Sequence, residues 1–297
     1  MQIIKGLKTI ENLSLVLGFF DGVHIAHQKV ISSAVDFAKK NQIPSAVVTL
    51  REHPVCYLKN VSSSYISERE CSYKLIDNLG VDYLIELDFE DVSKLSAQKY
   101  LKNILIKYFS PVAIFTGFNH TFGHNRGGNP QFLKENQNIF NYQYYEIPPQ
   151  KINNEIVSSS KIREYIKNGE ICNANKMLGR EFSVSGIVIE GNKIGRTIGF
   201  PTANIKYPQN IIELPSGVYS VKTVVKGKEY CGIANFGVKP TVCDNCSKIL
   251  EVNIFDFNEN IYSQNIEVKF LKFIRSEKKF SDLNELKEQI KLDIASF

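Results

Sequence analysis

The chain is 297 residues long, which is room for two domains of ordinary size. Hydrophobic residues make up 43% and charged residues 23%, a globular balance that excludes a largely disordered, collagen-like or coiled-coil chain. The net charge of +5, from 36 basic against 31 acidic residues, is too mild for a dedicated nucleic-acid binder and suits a handler of anionic small molecules, although a lysine-rich surface gives the same sum.

No apolar run approaches the ~18 residues of a membrane span. The N-terminal stretch runs into strand-like sequence and lacks the apolar core and cleavage site of a signal peptide. The expected location is therefore the cytoplasm, with neither membrane nor nucleic acid as a partner. The six cysteines are scattered, so a disulfide framework is not expected. Cys243 and Cys246 form one C-x-x-C pair, half of what a structural zinc site needs, and read as two reduced loop thiols. The five histidines, His24, His27, His53, His120 and His124, all precede residue 125. Acid–base chemistry in the second half then falls to carboxylates or lysines.

In chain order, residues 13–19 predict a buried strand, and 27–40 a helix with Val30, Ala34, Phe37 and Ala38 on one face. Strands follow at 45–50 and 81–87. Residues 96–109 read as a helix carrying Leu101, Ile104, Leu105 and Tyr108, and 112–116 as a strand. Strands alternating with helices predict a parallel sheet, with ligands at the strands' carboxyl ends. After a turn-rich break at 148–154, residues 159–178 read as one or two helices. From 181 the texture changes: strands are predicted at 182–189, 218–225, 249–257 and 266–273, separated by Gly, Pro and Asn, then a closing helix at 283–294. The expected architecture is α/β: a Rossmann-like domain over 1–180, including the linker helices, and a small β-barrel over 181–297 with a closing helix.

Five stretches carry chemistry. In G-F-F-D-G-V-H-I-A-H (18–27) a strand ends, a glycine turn follows, and His24 and His27 open a helix. Free N–H groups and the positive dipole end favour a phosphate there, and two imidazoles suit a transferring phosphoryl group. In S-S-S-K-I-R (158–163), hydroxyls at a helix start and Arg163 one turn later can grip phosphate oxygens, or Ser159 or Ser160 is a plain cap. The loop 117–127, G-F-N-H-T-F-G-H-N-R-G, follows a strand end, where a ligand loop belongs.

The stretch G-N-K-I-G-R-T-I-G-F-P-T-A-N (191–204) is not a P-loop: the glycine spacing is one short, Arg196 stands in place of Lys, and no helical pattern follows. Its three glycines can still bring backbone close to phosphates, and Thr202 and Asn204 are hard oxygen donors suited to Mg²⁺. The bland alternative is an ordinary turn. Glu251 sits on a predicted strand with Asn253, opposite Leu250, Val252 and Ile254. A carboxylate among apolar neighbours suits a general base, and an outward-facing strand Glu is the competing reading.

The first stretch resembles the H-x-G-H motif of nucleotidyltransferases. In its longer form it is similar to the bifunctional prokaryotic riboflavin kinase/FMN adenylyltransferase family. The run G-R-T-I-G-F-P-T-A-N (195–204) resembles that family's flavokinase motif, and the segments 214–219, 233–241 and 273–280 match it further, with Lys239 for the usual Arg. The chain departs from the family at Ala26, where it has Gly, at Asn119 for Asp, at His120 for an aromatic, and at Ser160 for Thr.

The resemblance implies two ATP-using activities. The C-terminal domain makes FMN from riboflavin and the N-terminal domain makes FAD and pyrophosphate from FMN. It implies Glu251 as catalytic base, with His24 and His27 catalytic in adenylylation. Gly18, Phe20, Asp21, Ser159, Ser160, Arg163, Gly191, Gly195, Arg196 and Gly199 are implied around ATP. Asn119, His120, Phe122, Arg126 and Arg275 are implied around the flavin, and Thr202 and Asn204 at Mg²⁺. Two alternatives stay open: a riboflavin kinase whose N-terminal domain no longer turns over, and a flavin- or nucleotide-sensing binding protein.

Overall fold

The computed structural model describes residues 1–53, 64–191, 195, 198–238 and 248–297. The chain divides into two compact units, Met1–Ser63 with Arg69–Ser158, and Ser64–Glu68 with Ser159–Phe297.

The first unit contains β1 (Gln2–Lys5), β2 (Ser14–Leu17), α1 (Ile25–Asn41), β3 (Ser45–Leu50), α2 (Arg69–Asn78), β4 (Tyr83–Leu87), α3 (Phe89–Ser93), a helical stretch α4 over 97–109, β5 (Ala113–Gly117), α5 (Pro130–Phe140) and β6 (Gln143–Ile147). The six strands form one sheet in the order β1-β4-β3-β2-β5-β6, every neighbouring pair parallel. Helices cover both faces, so the central strands are continuous apolar runs: all four residues of β2 are buried. Leu15 and Leu17 join Ile114, Phe109 and Phe122 on one face, and Val16 joins Val30, Ile31, Val47 and Phe115 on the other.

From β2 the chain winds outward through β3 and β4, and from β5 it winds the other way to β6. The order therefore reverses between β2 and β5, which are hydrogen-bonded neighbours with Val16 opposite Phe115. A ligand crevice belongs at such a switch point, outside the carboxyl ends. The 18–27 turn follows β2 and the 117–128 loop follows β5. After β6, β7 (Lys151–Ile152) and β8 (Glu155–Ile156) make a two-residue hairpin whose Asn153 and Asn154 hold φ of 50° and 67°.

The second unit contains α6 (Ser159–Lys167), α7 (Ile171–Leu178), β9 (Phe182–Ile189), β10 (Ala203–Lys206), β11 (Gly217–Val225), β12 (Lys228–Val238), β13 (Lys248–Ile254), β14 (Asn265–Ser276) and α8 (Leu283–Ala295). The strands close an antiparallel barrel in the order β10-β13-β12-β11-β14-β9. Fully buried Tyr219, Phe182, Phe270, Leu250 and Val252 fill it. Asn175 of α7 ties that helix to the barrel, donating to the Phe270 carbonyl and accepting from the Phe182 N–H, both at 2.8 Å. Residues 64–68 are stitched into the same unit. Tyr65 bridges Ile211, Glu68 accepts from the Ser185 N–H at 2.9 Å, and Ile66 is fully buried.

The texture change near 180 thus marks the start of β9, whereas the compact units divide at 158/159 because α6 and α7 pack with the barrel. The strand expected over 249–257 stops at Ile254, since Asp256 turns the backbone to a φ of 54°. Not expected from the sequence are α2, α3, α5, β6, the β7–β8 hairpin, β10 and β12. β6 is a polar edge strand, β10 has four residues, and the glycines of β12 dilute its strand pattern.

Candidate functional sites

Beyond β2 a tight turn at Asp21–Val23 re-aims the chain into α1. Gly22 takes a φ of 76°, and β-branched Val23 is held at 36°, a conformation it keeps because its side chain is fully buried. Gly18 admits no side chain, since a Cβ there would lie 2.7 Å from the Phe20 ring. Phe20 itself is a core residue and meets His27 edge-on at 5.1 Å.

His24 caps α1: its Nδ1 accepts from the His27 backbone N–H at 3.3 Å. With Nδ1 accepting, a neutral His24 carries its proton on Nε2. The two rings stack, 3.6 Å between centroids and 19° apart in plane. Burial first, and the His24 charge second, push His27 well below the ordinary imidazole range. His27 Nδ1 is buried with no hydrogen-bond partner. Asp21 is also buried in this turn. His53, beyond β3, meets Phe19 edge-on at 4.7 Å. His53 carries no expected role from the sequence, and the signal for it is its place past the carboxyl end of the strand beside β2.

In the β5 loop, Phe122 and Gly128 form a backbone bridge at 3.1 and 2.9 Å, and a Cβ on Gly128 would lie 2.5 Å from the Phe122 ring. Phe122, expected at the flavin, is a core residue packed on Tyr100 and Phe132. His120 lies parallel to it at 5.8 Å. Burial lowers His120 to about 4, and its Nε2 has no partner. Asn119 and Arg126 are exposed, Arg126 with a left-handed φ of 56°.

At the start of α6, Ser159 and Arg163 are half-buried and Ser160 is exposed. The Arg163 Nε donates to the Ser64 carbonyl at 2.8 Å. These residues belong to the second unit and the two histidines to the first.

On the barrel, alternation puts Leu250, Val252 and Ile254 inside and Glu251 and Asn253 on the outer face. The register sets Glu251 directly across from Asn204 on β10 and from Asn235 on β12, so three polar side chains share one row over three strands. Asn204 is buried, and its side chain lies so close to Gly191 that a Cβ there would be 2.5 Å from its amide nitrogen. Gly195 approaches as closely: its carbonyl accepts from the Phe200 N–H at 2.8 Å, and a Cβ on it would strike the Phe200 carbonyl. Gly199 has a φ of 88°. Thr202 is half-buried two residues before Asn204. A hydroxyl and an amide carbonyl beside a carboxylate are a hard-oxygen set that fits Mg²⁺ with most of its waters kept. The barrel side missed by sequence reasoning is Asn253, whose Nδ2 donates to the Pro201 carbonyl at 2.7 Å.

Arg275, expected at the flavin, pairs with Asp293 in this structure. Its Nε and Nη2 grip both carboxylate oxygens of Asp293 on α8 at 2.8 and 2.7 Å. Arg196, Lys239, Cys243 and Cys246 lie outside the described residues. Among the described residues no cluster of His, Cys, Asp and Glu could hold a metal ion, and no helix is long and apolar enough to cross a membrane.

Comparison with known proteins bears on both units. A riboflavin kinase family model matches residues 178–297, and an FAD synthetase family model matches residues 7–161. A relative described as a bifunctional riboflavin kinase/FMN adenylyltransferase, from Buchnera aphidicola subsp. Schizaphis graminum (strain Sg), is 40% identical over 303 residues, covering 99% of this chain and 97% of its own. One of the same description from Bacillus subtilis (strain 168) is 37% identical over 288 residues, covering 94% and 89%. A crystal structure reported as a macrolide-efflux protein from Streptococcus pneumoniae matches with a TM-score of 0.91 at 32% identity, covering 99% of this chain and 97% of that one.

Proposed function

The chain belongs to the bifunctional riboflavin kinase/FMN adenylyltransferase family, and from that premise we propose that it makes FMN from riboflavin and FAD from FMN, with ATP as co-substrate of both reactions. The division of labour follows the two family matches: the N-terminal one, residues 7–161, adenylylates FMN and the C-terminal one, residues 178–297, phosphorylates riboflavin.

In the kinase reaction the riboflavin 5′-hydroxyl attacks the γ-phosphorus of ATP and ADP leaves. Glu251 takes the hydroxyl proton. Thr202 and Asn204 hold Mg²⁺, which when bound supplies positive charge at the ATP phosphates. The loop carrying Gly191, Gly195 and Gly199 brings backbone close to those phosphates, with Arg196 in the same loop. The observation that carries this assignment is the β10–β13 register, which sets Asn204 directly opposite Glu251.

In the adenylylation an FMN phosphate oxygen attacks the α-phosphorus of ATP and pyrophosphate leaves. The nucleophile is already ionised, so positioning and charge stabilisation carry the step. His24 Nε2–H and His27 bind phosphate oxygens at the start of α1, beside Gly18 and Asp21. Ser159, Ser160 and Arg163 bind phosphates at the start of α6. Asn119, His120 and Arg126 contribute to the flavin side. Phe20 lies at the ATP side of this turn and Phe122 at the flavin side, both also packed in the core, and Arg275 belongs to the flavin side of the kinase while holding Asp293 of α8. The place of work is the cytoplasm, where ATP is supplied.

Incubation with riboflavin, ATP and Mg²⁺, followed by chromatography of the flavins, tests the proposal. Both FMN and FAD form. FMN alone would mean a silent sheet unit, and neither product would mean a binding protein. Glu251→Gln keeps the size and removes the base, so the kinase rate falls about 10²- to 10⁴-fold. FAD formation from supplied FMN stays near wild type. An unchanged kinase rate in that variant would reduce Glu251 to a strand residue.

A further inference from the structure

We infer that Asn253 is a positioning residue of the kinase site, acting through the Pro201 carbonyl to hold Thr202 and Asn204 against Glu251; the inference rests on the kinase reading of the barrel. β10 and β13 pair from Lys206↔Ile249 to Ala203↔Val252 and stop there. The reason is in the chain: the residue two before Ala203 is Pro201, which has no N–H to give to a ladder. Its carbonyl keeps its capacity to accept, and the Asn253 amide supplies the donor at 2.7 Å. A side chain thus continues the strand pairing beyond the point where the backbone cannot.

The placement makes that bond bear on chemistry. Asn253 is buried, and it stands two residues from Glu251 on the same face of β13. Between Pro201 and Asn204 lies Thr202. The segment before Ala203 is otherwise tied at the Gly195 carbonyl, which takes the Phe200 N–H. With Asn253 in place, Pro201 is fixed to the strand that carries the base. Without it, among the hydrogen bonds of the described residues, Thr202 hangs from a segment tied at Phe200 and at β10 itself. Misplacing a binding group by about 1 Å costs up to about 10²-fold in rate.

The test compares Asn253→Leu with Asn253→His in the full chain. Leucine keeps the approximate volume and removes the donor. Histidine puts Nδ1–H at the same number of bonds from the backbone as the amide nitrogen. Initial rates of FMN formation are measured against Mg·ATP, free Mg²⁺ and riboflavin, with thermal melting and FAD formation from supplied FMN alongside. In Asn253→Leu the KM for Mg·ATP and the Mg²⁺ requirement rise about 10- to 100-fold. The KM for riboflavin, the melting temperature and adenylylation stay near wild type, and Asn253→His recovers most of the loss. Wild-type kinase constants in a folded Asn253→Leu protein overturn the inference. So does an equal loss in both variants that tracks a fall in melting temperature, because the residue is then a fold residue only. A wild-type chain that makes no FMN overturns the kinase reading and this inference together, and is recognised by Glu251→Gln changing nothing either.

Discussion

His24 holds the helix through one ring nitrogen, Nδ1, which caps α1, and the proposed function asks the ring to bind a phosphate as well. Asparagine at this position is a good cap that lacks the second nitrogen's reach, whereas alanine also loses the cap, at about 0.5–2 kcal/mol. His24→Asn is therefore predicted to keep the melting temperature within a few degrees of wild type and to lose most FAD formation from FMN, with FMN production unaffected. A variant with full adenylylation would show that the capping function is all His24 has. His120 gives a pH prediction. Folding keeps it neutral down to about 4, while in the unfolded chain it takes up a proton near the ordinary imidazole value of 6.5. Between those values the unfolded state binds more protons, so stability falls as pH drops from 6.5 towards 4, by up to about 3 kcal/mol from this group. His27 acts in the same direction. Melting curves at pH 7 and pH 4.5 should lie closer together for His120→Phe than for wild type. An equal separation would mean that His120 is solvated in solution.

Helix α8 has a mostly exposed sequence, with Leu283 and Leu292 among its large exposed hydrophobics, so its attachment depends on few contacts. The strongest is polar. Asp293, 3% exposed, takes both arms of Arg275 and the amide of Gln289. Removing one partner of a buried pair leaves the other uncompensated. Because Arg275 keeps part of its exposure, the cost here is discounted to about 2–3 kcal/mol. Asp293→Ala should free α8 selectively, seen as faster amide exchange over 283–295 with the barrel strands still protected. Uniform protection in that variant would remove the pair from the account of what holds the helix. The adenylylation rate is predicted to be unchanged.

At the scale of the molecule, the second unit begins at Ser159, so α6 and α7 are part of what a barrel fragment needs. A fragment starting at 181 loses the Asn175 bonds to Phe270 and Phe182 and the buried side chains of Ala174, Met177 and Leu178. Burial of that much apolar surface stabilises by several kcal/mol in total, at about 1.5–3 kcal/mol per large side chain. The fragment 159–297 is therefore predicted to melt well above 181–297, and to make FMN but no FAD. It still lacks the 64–68 strap with its buried Ile66, so it should melt below the full chain. Equal melting of the two fragments, checked by calorimetry, would return the boundary to 180.

Some of this was legible along the chain. The runs at 45–50 and 182–189 are strands to the residue, because local burial on a sheet shows directly in consecutive or alternating apolar side chains. The motif residues were legible too, since glycine, histidine and hydroxyl residues at fixed offsets around a strand end or helix start have a local physical meaning. The two faces of β13 followed from its period of two, with Glu251 and Asn253 on one side. What lay beyond reach depends on partners distant in sequence. Nothing near residue 204 reveals that Asn204 faces Glu251, or that Asn253 takes the carbonyl of Pro201. Those pairings are made by barrel register, and one step of slip would turn each side chain to the other face. In the same way the packing partners of Phe20, Phe122 and Arg275, which the motifs place at ligands, could not be read from the motifs. In the fold, the first two face the core and the third faces Asp293, since a large ring or a long cation takes whichever neighbour the packing brings to it.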